Sequence, residues 1–155
     1  MNWHLKRFDE LTGSEVYKII KLRVDVFVVE QDCPYSDLDG NDEHPEVLHL
    51  FATDNDDLVC YLRILPPDLA YPDMPALGRI VSSSKFRGIG AGHQLMQHAI
   101  KVLDERYPNH TSHMSAQAHL QGFYGKHGYS AVGEGYLEDN IPHIGMERGP
   151  LGKSA

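Results

Sequence analysis

Arg87-Gly88-Ile89-Gly90-Ala91-Gly92 is the stretch of this 155-residue chain best suited to chemistry. Three glycines stand at alternate positions just before an amphipathic segment. Glycine admits backbone conformations and close approaches that a Cβ forbids. A glycine-rich turn into a helix start gathers N–H groups at one point, and the helix dipole adds partial positive charge there. The chemistry is capture of a phosphate or pyrophosphate. The bland reading is a tight turn packed against a sheet, and the turn alone leaves both open. Two nucleotide patterns fit poorly. No GK[ST] is present, and Gly88-x-Gly90-x-Gly92 is one residue short of the dinucleotide GxGxxG pattern.

A second segment lies about two dozen residues on: Ala116-Gln117-Ala118-His119-Leu120-Gln121-Gly122-Phe123-Tyr124-Gly125-Lys126-His127-Gly128-Tyr129. Arg87-x-x-Gly90-x-Gly92 resembles the acetyl-CoA signature, R/Q-x-x-G-x-G/A, of the GNAT superfamily of N-acetyltransferases. Phe123-Tyr124-x-Lys126-x-Gly128-Tyr129 resembles that superfamily's second motif, F-Y-x-K-x-G-F. The order of the two, with a helix and a strand between them, is more specific than either alone. Phe27-Val28-Val29-Glu30-Gln31, Cys33-Pro34-Tyr35, Asp37-x-Asp39-Gly40 and Ile141-Pro142-His143-Ile144-Gly145-Met146 extend the likeness to the ElaA-like branch, over residues 3–148.

The resemblance implies acetyl-CoA as co-substrate, no metal, and an acetyl group moved to a primary amine by direct attack in a ternary complex. It implies that Ile80, Val81 and Ser82 meet the pantetheine arm, and that the amides of Arg87, Gly88, Ile89, Gly90, Ala91 and Gly92 hold the pyrophosphate. Gln117, six residues before Phe123, stands where the superfamily often has Asn. Tyr124 falls on the position whose hydroxyl protonates the leaving thiolate. One departure matters. Many members carry a Glu on the central strand as base, whereas this strand offers Arg79 and no carboxylate. The base must come from elsewhere.

His119, His143 and Glu30 are the candidate bases, because a His or a carboxylate can take the proton that an ammonium must lose. For either His the plain alternative is a ring that fixes loop geometry. Glu30, Tyr35, Asp39 and Tyr136 are the candidates for the acceptor side. The acidic run 30–43 reads equally as turn formers and a solvated rim. Ten His residues invite a metal reading, but no HExxH and no paired Cys/His spacing is present. A non-catalytic acyl-CoA-binding sensor module is the competing function.

The elements that must position these residues follow from pattern. Residues 2–8 alternate as a strand. Thr12 and Glu15 form a capping box before a helix whose Val16, Ile19, Ile20, Val24 and Phe27 share a face. Arg23 falls on that face, where a charge needs a partner. Gln31 to Glu46 is loop. Strands are expected at 47–53, 58–65 and 77–83. A second helix has Gly92, Leu95, Met96, Ala99, Val102, Leu103 and Tyr107 on one face and ends at Pro108. A strand at 111–117, a short helix at 119–127 capped by Gly128, and two short strands around the loop EDNIPH complete the chain. The order β-α-β-β-β-α-β-α-β-β is that of an α/β (α+β) domain with a mixed sheet. The resemblance sharpens this to a mostly antiparallel, twisted sheet with splayed central strands and helices on both faces.

Composition sets the outer limits. Lys+Arg is 14 and Asp+Glu 22, a net charge of −8. That opposes nucleic-acid and anionic-membrane partners and suits a cationic small molecule. Two cysteines, Cys33 and Cys60, make no disulfide framework and read as reduced thiols. With no apolar leader and no apolar run long enough to span a bilayer, a cytoplasmic protein is expected. One domain, 1–148, with a flexible tail, 149–155, is expected, as a monomer or homodimer.

Overall fold

The computed structural model describes residues 1–150. Most of the expected tail therefore lies outside the described residues. Seven strands form one sheet in the order β1-β2-β3-β4-β5-β7-β6. They are β1 (Asn2–Arg7), β2 (Leu48–Asp54), β3 (Asp57–Leu65), β4 (Ala76–Ser82), β5 (Ser112–Gln117), β6 (Ser130–Glu138) and β7 (Ile141–Arg148). Every neighbouring pair is antiparallel except β4 and β5. The helices are α1 (Gly13–Arg23), α2 (Ala91–Arg106) and the short α3 (Gln121–Gly125).

Alternation along the strands splits the core between two faces. Leu48, Leu50, Ala52, Cys60, Leu62 and Leu77 point to one face, with Leu95, Met96, Ala99 and Leu103 of α2. Phe51, Tyr61 and Val81 point to the other, with Ile19 and Leu22 of α1. The helices thus cover opposite faces. Burying one such Leu contributes roughly 1.5–3 kcal/mol, so the spacing of these residues decides which side each helix takes. The Thr12–Glu15 box starts α1 as read, with Glu15 N–H donating to Thr12 Oγ1 and Thr12 N–H to Glu15 Oε1.

Two local expectations are corrected. The first helix does not run on evenly to Phe27. From Val24 to Glu30 it widens into π turns, with Gln31 N–H donating to the Val26 carbonyl and Cys33 N–H to that of Val28. The extra residue per turn rotates the face, and Phe27 comes to line the cleft described below. The segment EDNIPH is not a loop. Asp139 and Asn140, at φ of 50° and 63°, form a two-residue turn that tolerates the left-handed region, and the strands continue on both sides of it. His143, expected in a loop, therefore sits on β7.

Candidate active site

The parallel pair opens a gap in the sheet. β4 and β5 are in register only at Ala76 and His113 and diverge beyond them. A bulge on β4 adds to this. Tyr61 faces Val81 while Arg63 faces Gly78, which leaves Arg79 and Ile80 without a register partner on β3. Arg79 takes a φ of 53°, a costly conformation for a non-glycine residue. The bulge also reverses the alternation, so Leu77 packs on the α2 side and Val81 on the α1 side. The resulting cleft, about 240 Å³, passes between the splayed strands.

Five of the residues singled out from sequence line this cleft: Tyr35, Ile80, Gln117, Tyr124 and His143. Tyr124 enters from the α2 side, where its ring belongs to the core. Burial pushes its hydroxyl up to about 12, so it carries its proton at neutral pH. His143 enters from the opposite face, out of phase with Ile144 and Met146, which pack toward α2. Its Nδ1 donates to the Ile141 carbonyl at 2.7 Å. A carbonyl only accepts, so Nδ1 carries the proton and Nε2 is the atom free to exchange one. Gln117 Nε2 donates to Gln31 Oε1 at 3.3 Å, tying β5 to the end of the π turns.

The glycine-rich turn stands at the start of α2. Gly88 and Gly90 have φ of 91° and 79°, and Gly90 is the N-cap without a capping side chain. The N–H of Gln94 is the first to bond back along the helix, to the Gly90 carbonyl. The amides of Ala91, Gly92 and His93 precede it and point out of the helix start. A Cβ on Gly88 or Gly90 would meet nothing within 4 Å, so backbone conformation dictates those glycines. A Cβ on Gly92 would stand 3.3 Å from Phe123 Cζ, so that glycine lets α3 approach α2. Open amides at a helix start fit a pyrophosphate. Ser82 ends β4, Arg87 and Ile89 lie exposed on the turn, and Ala91 is buried in the first turn of α2.

Other candidates are placed elsewhere. Glu30 is exposed and held bidentately by Arg87, at 2.5 and 2.6 Å, and the Arg87 guanidinium draws its carboxyl below the ordinary value. A carboxylate so held is a poor proton acceptor. Asp39 accepts from both Nη atoms of Arg63, at 2.8 and 2.6 Å, and is held well below the usual carboxylate range by that pair. It belongs to a larger ion network. Arg23, 1% exposed, donates to Asp37 and Asp42, each at 2.8 Å, and Arg79 Nε lies 2.8 Å from Asp37 Oδ1. Tyr35 donates to Asp37 Oδ1 at 2.6 Å. Arg23 thus closes the acidic loop onto the end of α1, which is the ion-pair reading of that buried charge, while Arg63 and Arg79 tie the loop to β3 and β4. His119 is exposed on the turn after β5, outside the cleft lining. Tyr136 faces His143 across β6 and β7 and contacts Ser115, itself a lining residue.

Glu138, Ser115 and Cys33 also line the cleft, and none of them was among the candidate site residues read from sequence. The signal for Glu138 was present in the Asp139-Asn140 turn. A two-residue hairpin brings Glu138 beside His143, whereas a long loop separates them.

Residues 21–149 match the family model for the acetyltransferase (GNAT) domain. The chain belongs to the GNAT acetyltransferase family. It is 41% identical to the protein ElaA of Escherichia coli over 148 residues, 96% of each chain. The crystal structure of E. coli ElaA superposes with a TM-score of 0.89 at 40% identity, covering 96% of this chain and 99% of that one. An acyl-CoA N-acyltransferase from Pseudomonas aeruginosa gives 0.89 at 45% identity, with the same coverage. The mixed, mostly antiparallel sheet is thus the GNAT fold, and the ElaA likeness read from sequence holds. Among the described residues no group of His, Cys, Asp or Glu is placed to hold a metal, and no helix is long and apolar enough to cross a membrane.

Proposed function

We propose that this GNAT protein transfers the acetyl group of acetyl-CoA to the primary amine of a small molecule, by direct attack with both substrates bound. The supporting observation is that the splay brings Tyr124 and His143, from opposite faces of the sheet, to the walls of one cleft. The amides of residues 87–92 would hold the pyrophosphate, and the free edge of β4 from Ile80 to Ser82 the pantetheine arm. Acetyl-CoA supplies an activated acyl carbon and a thiolate leaving group. The P. aeruginosa relative's description as an acyl-CoA N-acyltransferase agrees with this class.

The protein's part is proton management. A primary amine has an unperturbed pKa of about 10.4 and arrives protonated. His143 Nε2 takes one proton and passes it to water. The freed lone pair forms the C–N bond as the C–S bond breaks. Tyr124 gives its proton to the sulfur and recovers one from the new amide nitrogen. Backbone N–H groups at the β4 bulge stand ready for charge on the acyl oxygen. The net reaction consumes an ammonium and a thioester and yields an amide, a thiol and one proton.

The test is an amine-library screen with acetyl-CoA, read by mass spectrometry and thiol release, in the wild type and His143→Gln. Replacing a general base typically costs about 10²- to 10⁴-fold in turnover. We expect that loss with acetyl-CoA binding retained. Acetyl-CoA binding without thiol release for any amine would make the chain a binding module instead. Salt should weaken capture of the cationic acceptor, because partly exposed charges are screened over about 8–10 Å at ordinary ionic strength. The net charge of −8 disfavours nucleic acid and anionic membranes as partners.

A further inference from the structure

We propose that Glu138 selects the acceptor: its carboxylate binds the substrate's ammonium beside His143, and Ser115 and Tyr136 hold it there. This rests on the transferase reading above and adds the residue that recognises the amine.

Four carboxylates of the acidic loop are taken by arginines, and the other two, Asp32 and Glu43, do not line the cleft. Asp37 and Asp42 engage Arg23, Asp39 engages Arg63, and Glu30 engages Arg87. Glu138 lines the cleft and makes a different set of contacts. Its Oε2 lies 3.3 Å from His143 Nε2 and 3.3 Å from Ser115 Oγ. Its side chain is 51% exposed, so one side stays open to the entrance.

The sheet register explains the cluster. Tyr136 pairs with His143 across β6 and β7, and Glu138, two residues on, points to the same face. Gln117 pairs with His143 across β7 and β5, and Ser115, two residues back, shares that face too. This is the face opposite α2, toward which Met114, Ala116 and Met146 point. A carboxylate only accepts, so Ser115 must donate to Glu138, and Tyr136 must donate to Ser115. The chain Tyr136–Ser115–Glu138 therefore has one polarity, and it ends on an oxygen next to the nitrogen that exchanges the proton. An ammonium carries three donors. It can bridge Glu138 and His143 Nε2, which orients one N–H bond at the base. Cys33 Sγ contacts the Asp139 carbonyl at 3.4 Å and ties the hairpin tip to the acidic loop, so the tip is positioned from both sides.

The decisive experiment is an NMR titration of the ¹⁵N-labelled full chain, in the presence of CoA, with n-butylammonium chloride and with potassium chloride as the ionic control. Saturable shifts are expected at the amides of residues 138–141 and 143 with the amine and not with potassium chloride. Glu138→Gln should weaken them by about tenfold, the scale of one charge-assisted contact. Glu138→Asp, which keeps the charge, should retain more of the affinity, and Ser115→Ala and Tyr136→Phe should lose less than Glu138→Gln. In turnover, Glu138→Gln should raise the amine KM and leave the acetyl-CoA KM unchanged, a split that a merely structural residue would not give. Equal n-butylammonium affinity in wild type and Glu138→Gln overturns the proposal, as does absence of saturable shifts in the wild type. Failure of the wild type to acetylate any amine defeats the transferase reading instead, and the titration still decides Glu138.

Discussion

In the proposed reaction Tyr124 and His143 divide the proton work because their environments differ. Tyr124 is buried in the α2-side core, and desolvation, the larger effect, together with Tyr129 raises its hydroxyl to about 12. It therefore keeps its proton at neutral pH. His143 has its tautomer set by the Ile141 carbonyl, which leaves Nε2 to exchange a proton beside Glu138 Oε2. Tyr124→Phe removes the hydroxyl alone and should keep the fold. Turnover should fall by roughly 10²- to 10⁴-fold, the usual scale for a lost general acid, with calorimetric acetyl-CoA affinity little changed. Wild-type turnover in Tyr124→Phe would take this residue out of the reaction. Glu30, expected on the acceptor side as a candidate base, stands instead at the glycine-rich turn and outside the cleft lining, where the bidentate arginine leaves it little basicity.

Two elements, the glycine-rich turn and the acidic loop, each have their own test. Gly90 has φ of 79° with open space where a Cβ would stand. Substitution there is penalised by conformation, about 1–2 kcal/mol for an ordinary residue, and not by a clash. Gly90→Ala should therefore melt lower while keeping much of its CoA affinity. Gly90→Asp adds charge repulsion against the pyrophosphate and should bind CoA far more weakly than Gly90→Ala. Calorimetry on the pair separates backbone strain from charge, and equal CoA affinities would move the pyrophosphate off this turn. In the acidic loop, Asp37 is 5% exposed and binds Arg23, itself 1% exposed. Asp37→Asn removes one of the two carboxylates that neutralise the buried Arg23 guanidinium and leaves Asp42, so the cost should stay below the about 3–5 kcal/mol of a buried charge left wholly unpaired. A thermal melt within a degree of wild type would mean that the network is not what fastens the loop.

For the whole molecule, the titratable groups set a stability window. The Arg63 and Arg23 guanidiniums hold Asp39 and Asp42 below their ordinary values, for Asp42 against the raising effect of burial. A carboxylate with a depressed folded pKa stabilises the fold above its unfolded value, near 4, and loses that contribution as pH falls through the folded pKa. At the other end, burial raises Cys60 to about 12 from 9.0 and Tyr129 to about 12 from 10.0. Their contribution is complete below the unfolded values and is lost as pH rises toward about 12. The melting temperature should hold a plateau across neutral pH, fall below about pH 4 and fall again above about pH 9. Melts at constant ionic strength check this. An unchanged melting temperature at pH 2.5 would contradict the ion network's part in stability.

Much of this was legible in the residues themselves. Capping chemistry started α1 at Thr12, hydrophobic spacing assigned α2 its face, and Gly88 and Gly90 announced the turn at the start of α2, where the pyrophosphate is proposed to sit. These are local properties, fixed by backbone conformation and by residues three or four apart. What waited for the tertiary structure depends on contacts across many residues. The role of Arg23 needed Asp37 and Asp42, fourteen and nineteen positions away. The π turns that aim Phe27 and the bulge that gives Arg79 a φ of 53° respond to packing, and no residue type announces them. Glu138 and His143 meet only because Asp139-Asn140 closes a tight hairpin and β5 pairs beside it, so side chains from three strands share one face. Sequence determined which residues could do chemistry; sheet register decided which of them could do it together, because period-two alternation puts a side chain on the right face or the wrong one.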